Sequence, residues 1–203
     1  MAHRTLSNYD DYFVSTIDPN PGETANAIFA KSGDDVVYGN GYVDYIYGGN
    51  GSDYLNGEGN DDILLGESGN DILEGGLGDD LLLGGSGHDQ LYGGEGLDRL
   101  WGGTGNDLYY ADTQYLDVDI INDDKSPTGQ TGYGGGYDAV KFFDLTFQGT
   151  GIFYEQRGDD LFLGESTLSR GVIVEDFYKG GDNVVEVLID ATGVQQDLTF
   201  LLG

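Results

Sequence analysis

From residue 30 to residue 110 the chain repeats one nine-residue unit nine times without a gap, and aspartate stands at the sixth position of every copy. The copies read AKSGDDVVY, GNGYVDYIY, GGNGSDYLN, GEGNDDILL, GESGNDILE, GGLGDDLLL, GGSGHDQLY, GGEGLDRLW and GGTGNDLYY. A strict period of this kind marks a stacked repeat, because one unit cannot bury its own apolar face and neighbouring units must close it. Glycine, frequent at positions one, two and four, permits a tight turn through backbone conformations closed to residues with a Cβ. The first six positions are therefore expected to form the turn and the last three a short strand. Alternation along that strand sends position eight to one face and positions seven and nine to the other. The inward column is Val37, Ile46, Leu55, Leu64, Leu73, Leu82, Leu91, Leu100 and Tyr109.

With two units to a coil of eighteen residues, strands of odd units stack into one sheet and strands of even units into the opposite one. The coil advances by one strand spacing, about 4.8 Å, so each turn lies beside the turn eighteen residues later. One row of aspartates is then Asp35, Asp53, Asp71, Asp89 and Asp107; the other is Asp44, Asp62, Asp80 and Asp98. Each neighbouring pair offers two carboxylates and the carbonyls of glycine-opened turns to a shared gap. Hard oxygen ligands in such a cage suit Ca²⁺, whereas Zn²⁺ would call for His or Cys. Nine units create seven gaps, and the departures described below reduce the expected load to about five to seven ions.

The chain carries 37 Asp and Glu against 8 Lys and Arg, a formal charge of −29. Self-repulsion at that density opposes any compact state, and 37 glycines add backbone entropy that folding must overcome. A column of single side chains is too small to order eighty residues at about 1 to 2 kcal/mol each, so cation binding and folding are expected to be one event. The same charge excludes nucleic acid and anionic membrane surfaces as partners. There are no cysteines, and neither a cleavable secretory signal nor a bilayer-spanning stretch is visible.

These repeats resemble the repeats-in-toxin (RTX) family of secreted calcium-binding proteins, whose nonapeptide pattern is a recognised signature of the calcium-binding parallel β-helix. The resemblance implies an all-β, right-handed parallel β-roll. It also implies that one turn gives the carbonyls of positions two and four with its Asp, and the next turn on that side gives the carbonyls of positions one and three with its own Asp. On the odd side this implicates Asp35, then Gly48, Asn50, Gly51 and Asp53, then Gly66, Glu67, Ser68, Gly69 and Asp71, then Gly84, Gly85, Ser86, Gly87 and Asp89, then Gly102, Thr104 and Asp107. On the even side it implicates Gly57, Gly59 and Asp62, then Gly75, Gly76, Leu77, Gly78 and Asp80, then Gly93, Glu95 and Asp98. Glu67 departs from the family glycine but retains a carbonyl. Asn40 and Tyr42 depart more seriously, which discounts the gap between Asp44 and Asp62. Ala30 and Lys31 mark the start of the array, and PGETANAIF before it keeps only Asn26 and Ile28 in phase.

The period breaks after Tyr110. Alternating runs at 115–121, 138–147, 151–155, 160–164, 171–177 and 183–189 read as strands, and KSPTGQTGYGGGY (125–137) reads as a mobile loop, with Gly136, Asp138 and Val140 still in repeat phase. The expected organisation is an N-terminal flank (1–29), the roll (30–110) and a C-terminal β-rich cap (111–203) closing its exposed end. GNDLYY, GGYDAVKF, IFYEQRGDDLFL and VIVEDFYKGGDNVVEVLI are similar in order to the flank of the last repeat block in adenylate cyclase toxins and haemolysins. In those relatives the flank caps the roll, and a type I secretion channel exports the chain through an uncleaved C-terminal signal. That resemblance implies an extracellular protein and the secretion machinery as a partner; ATGVQQDLTFLLG suits either the export signal or a last cap strand.

Even units turn Tyr45, Tyr47, Ile63, Leu65, Leu81, Leu83 and Trp101 outward with Arg99 as the only charge. Such a patch calls for cover, by the flanking segments or by a partner protein, a second copy, a glycan or a cell surface. No catalytic constellation emerges. His88 stands at variable position five, and the paired acids Asp34/Asp35, Asp61/Asp62 and Asp79/Asp80 point apart along the backbone rather than converging. No serine nucleophile motif or phosphate-binding loop is present.

Overall fold

The computed structural model describes residues 2–14, 25–111, 118–122, 138–142, 152–157, 160–164, 171–175, 177, 185–198 and 201. The expected loop at 125–137, and parts of the expected strands at 115–121, 138–147, 151–155, 171–177 and 183–189, lie outside these residues. Strands β1 (Ala2–Thr5), β3 (Ala25–Ser32), β5 (Val43–Asn50), β7 (Ile63–Ser68), β9 (Leu81–Ser86), β11 (Arg99–Thr104) and β13 (Val118–Ile121) stack in that order, followed by β17 (Gly171–Val174), β16 (Asp160–Gly164) and β15 (Phe153–Arg157). The facing sheet runs β2 (Tyr12–Val14), β4 (Val36–Asn40), β6 (Tyr54–Gly59), β8 (Ile72–Leu77), β10 (Gln90–Glu95), β12 (Leu108–Ala111), β14 (Asp138–Phe142), β18 (Val185–Ile189) and β19 (Gln195–Asp197). Pairing is parallel throughout the repeats, with partners eighteen residues apart, as in Leu73 beside Leu91 and Leu82 beside Leu100. This is a parallel β-roll, and no described helix is long and apolar enough to cross a membrane.

All nine position-eight side chains are fully buried. The column continues through Ile28 at one end and Ile121, Val140, Val174 and Leu188 at the other, in one connected core. Stacking also runs past residues 30 and 110. Strands β1 and β2 pair parallel with β3 and β4, and β13 and β14 add a rung each beyond β11 and β12. Only after that does the ladder change direction, through the antiparallel pairs β16 with β17, β15 with β16, and β18 with β19.

One local expectation needs correction. The strands are six residues long in the regular repeats, not three: β8 spans positions seven to nine of one unit and one to three of the next. Gly76 beside Gly94 and Leu77 beside Glu95 continue the ladder, so the turn proper is Gly78, Asp79 and Asp80. Position two keeps a positive φ, and at Gly76, with φ 113°, a Cβ would lie 2.5 Å from the Glu58 carbonyl oxygen; Lys31, Glu58 and Glu67 occupy the same position at smaller positive φ.

Candidate metal centre

Every repeat aspartate is buried, and its two carboxylate oxygens face different neighbours. Oδ1 looks back along the stack and accepts the backbone N–H of the aspartate one coil earlier: Asp53 N–H donates to Asp71 at 2.8 Å, Asp62 to Asp80 at 2.7 Å and Asp71 to Asp89 at 2.8 Å. The same bond joins Asp35 to Asp53, Asp44 to Asp62, Asp80 to Asp98 and Asp89 to Asp107. Oδ2 looks forward. In Asp35, Asp53, Asp62, Asp71, Asp80 and Asp89 this oxygen is buried and has no hydrogen-bond donor. A buried carboxylate oxygen without a partner is costly enough to require a compensating group.

The walls around that oxygen are set by position one. A Cβ at Gly66 would collide with both Asp71 Oδ2 and the Gly84 carbonyl oxygen. The same pairing of an Oδ2 with the position-one carbonyl of the next coil recurs at Gly48 (Asp53, Gly66), Gly57 (Asp62, Gly75), Gly75 (Asp80, Gly93) and Gly84 (Asp89, Gly102). Each gap therefore brings a carboxylate oxygen and a carbonyl oxygen to one small space that a methyl group would fill. Among the described residues no three His, Cys, Asp or Glu side chains converge on a single point. The donor set is consequently carboxylate plus backbone carbonyl, hard oxygen that fits Ca²⁺ and not a thiolate or imidazole metal.

The electrostatics agree. Burial is the largest influence on each of these carboxyls and raises its pKa, with like-charged neighbours adding to the effect. Asp53 is pushed up to about 6, Asp71, Asp80 and Asp89 to about 7, and Asp62 to about 9. The N–H bond to Oδ1 works in the opposite sense and is outweighed. A divalent cation in the gap reverses this balance by favouring the ionised form.

Two departures fall at the N-terminal end. Asp44 has no vacant oxygen: Oδ2 accepts the Asn40 N–H at 2.8 Å and Oδ1 accepts the Asn26 side-chain amide. At position one of the first unit, Ala30 carries a buried methyl where the later units have glycine. The rows extend beyond the nine units, to Asp138, which keeps the repeat phase, and to residues that the glycine pattern does not reveal. Asp11 donates its N–H to Asp35 Oδ1, and its own Oδ2 accepts both Ser7 N–H and Ser7 Oγ–H, at 2.6 and 2.8 Å. At the far end Asp98 donates to Asp119, Asp107 to Asp138, and Asp138 to Glu186. A search for Asp-x-apolar-x alone, as in Asp11-Tyr12-Phe13-Val14 or Asp119-Ile120-Ile121-Asn122, would have found the first two.

Position five acts differently from position six. Asp34, Asp61 and Asp79 accept the N–H of Ser52, Asp79 and Leu97 across the stack, and exposed His88 accepts the Asn106 N–H through Nδ1 at 2.8 Å. These side chains tie surface turns together. The outward even-unit residues from Tyr45 to Trp101 are half-buried against each other, with Tyr47 stacked on Phe29 at 4.7 Å; no described strand lies across them.

The family model for the RTX calcium-binding nonapeptide repeat, four copies long, matches residues 22–55, 29–64, 38–73, 56–91 and 83–114. Comparison with curated proteins returned no match.

Proposed function

We propose, since residues 22–114 match the RTX calcium-binding nonapeptide-repeat family, that the roll of this chain is a folding switch operated by extracellular calcium. The observation that carries this reading is the set of buried Asp Oδ2 atoms without donors at Asp53, Asp62, Asp71, Asp80 and Asp89, each beside a position-one glycine and a carbonyl of the next coil. These five gaps are the proposed ion sites. The gap at Asp35 is a weaker sixth because of Ala30. Bound calcium supplies the positive charge that lets these carboxylates stay ionised while buried. The chain's own part is to hold Oδ2 in place through the Oδ1 bond to the preceding turn, to open the space with glycine, and to exclude water with the flanking strands.

With the gaps uncompensated, the roll must bury carboxylates that would rather be protonated or solvated, and the −29 chain is favoured in an extended form. That form suits passage through a type I secretion channel, after which millimolar calcium outside the cell drives folding. The module then serves as the folding and export scaffold of a toxin, adhesin or exoenzyme. Far-UV circular dichroism during a calcium titration at constant ionic strength tests this, with magnesium as control. A cooperative gain of β-structure between about 10⁻⁴ and 10⁻³ M calcium, absent with magnesium, is expected; a complete β spectrum in chelator at pH 7.5 would refute the switch.

A further inference from the structure

The outer face of the odd-unit sheet differs from its even-unit counterpart. It mixes tyrosines with hydrogen-bonding side chains, and at its N-terminal end it is concave. Tyr12, Val14, Tyr38, Gly39, Asn40 and Glu58 line an open groove of about 390 Å³. Tyr12 stands on the last strand of the sheet and is 73% exposed. Its ring lies 6.1 Å from that of Tyr38 and is tilted by 57°, and Tyr38 is in turn tilted by 52° against Tyr54 at 5.4 Å. Tilted rings leave parts of their faces open to a ligand, unlike Tyr92 and Tyr110 further along, which stack at 3.8 Å and 10° and cover each other. Tyr54 is held in place by its hydroxyl, which donates to Glu74 at 2.6 Å, and Asn56 donates to the same carboxylate at 2.9 Å. The exposed Glu58 supplies a carboxylate at the groove wall.

We propose that this groove is a binding site for a neutral glycan chain. The volume falls in the range of small-molecule sites, which pair apolar walls with a few polar groups. Aromatic rings offer flat surfaces for the CH faces of pyranose rings, and the carboxylate of Glu58 and the hydroxyls of Tyr12 and Tyr38 meet the sugar hydroxyls at the ring edges. Charge selects among glycans. Glu58 inside the groove and a net charge of −29 repel uronates and sulfated sugars, leaving uncharged chains as the fitting class. The groove borders the Asp44 and Asp62 turns through Gly39, Asn40 and Glu58, so its binding is read with the aspartate gaps saturated by calcium.

Two substitutions isolate the groove without disturbing the roll. Tyr12→Ala removes an exposed ring. Glu58→Gly removes the carboxylate at a residue with φ 76°, where the equivalent Gly49, Gly76 and Gly85 already adopt positive φ, so folding is preserved or improved. Cellohexaose, chitohexaose and mannohexaose are titrated into the full chain in saturating calcium by calorimetry, with hexagalacturonate as the charged control. At least one neutral hexamer is expected to bind with Kd of about 1 mM or tighter, weakened at least tenfold by Tyr12→Ala and measurably by Glu58→Gly. Silence with all three neutral hexamers, equal affinity for hexagalacturonate, or undiminished binding by Tyr12→Ala would overturn the proposal. Calcium-dependent self-association abolished by Tyr12→Ala in sedimentation would likewise overturn it, by giving the groove to a second copy.

Discussion

Protons should replace calcium. In the roll, Asp71, Asp80 and Asp89 have pKa values of about 7 and Asp62 of about 9, against an ordinary value of 3.8, chiefly because burial penalises the charged form. A folded-state pKa above the unfolded value means that the roll binds protons more tightly than the unfolded chain. The resulting stability is fully present below about pH 4 and is lost as pH rises through the folded-state values. A shift of about three units corresponds to about 4 kcal/mol for one carboxyl, already a large part of the stability of an ordinary domain, and the neighbouring carboxyls act in the same direction. In chelator the chain is therefore expected to be largely unfolded at pH 8 and to gain β-structure progressively towards pH 5, followed by far-UV circular dichroism. The titration stops at pH 5 because the pI is about 4.1 and loss of net charge promotes precipitation. Combining Asp71→Asn, Asp80→Asn and Asp89→Asn should shift the midpoint of this acid transition to higher pH, since an amide keeps the Oδ1 acceptor and carries no charge. A chelated chain whose spectrum does not respond between pH 8 and 5 would refute the reasoning.

Asp71→Asn alone should lower the calcium stoichiometry by one in equilibrium dialysis with little change in the β content reached at saturation. Asp71→Ala also strands the Asp53 N–H and should cost a further 1 to 3 kcal/mol, approximately, read as a lower urea midpoint in calcium. Gly66→Ala fills the space between Asp71 Oδ2 and the Gly84 carbonyl and should abolish that ion while leaving distant gaps loaded, again by dialysis. Glu67→Gly should lower the calcium midpoint, because it relieves φ 74°, worth about 1 kcal/mol.

The position-eight column was legible because burial leaves a period in the sequence that a single substitution does not hide. Even Ile28 in a segment without repeat glycines kept its phase. The aspartate rows were legible for the same reason. Three features were not. Glycines at positions one to three read as turn, although Gly75 and Gly76 continue the ladder as strand, because glycine satisfies a close approach in a strand as readily as a bend. Asp11 and Asp119 stayed hidden because no glycine pattern precedes them in the sequence; Asp11 is closed instead by Ser7. The letters also could not divide one carboxylate into a structural oxygen and a ligand oxygen, which depends on where the turn eighteen residues away comes to rest.

That division makes folding and binding hard to separate in this molecule. Asp71 Oδ1 is satisfied only when the turn carrying Asp53 is already stacked against it, and Asp71 Oδ2 finds its carbonyl companion only when the turn carrying Gly84 has arrived. No coil can complete its own site, so an ion bound at one gap favours the next coil, and the array should respond to calcium more steeply than a set of independent sites. At the ends, hydrogen bonds to other groups stand in for the missing coil or the missing cation. Ser7 closes Asp11, Asn26 and Asn40 close Asp44, and Glu186 receives the N–H of Asp138. A row of carboxylates that each need a neighbour on both sides can stop only where another group supplies the missing partner.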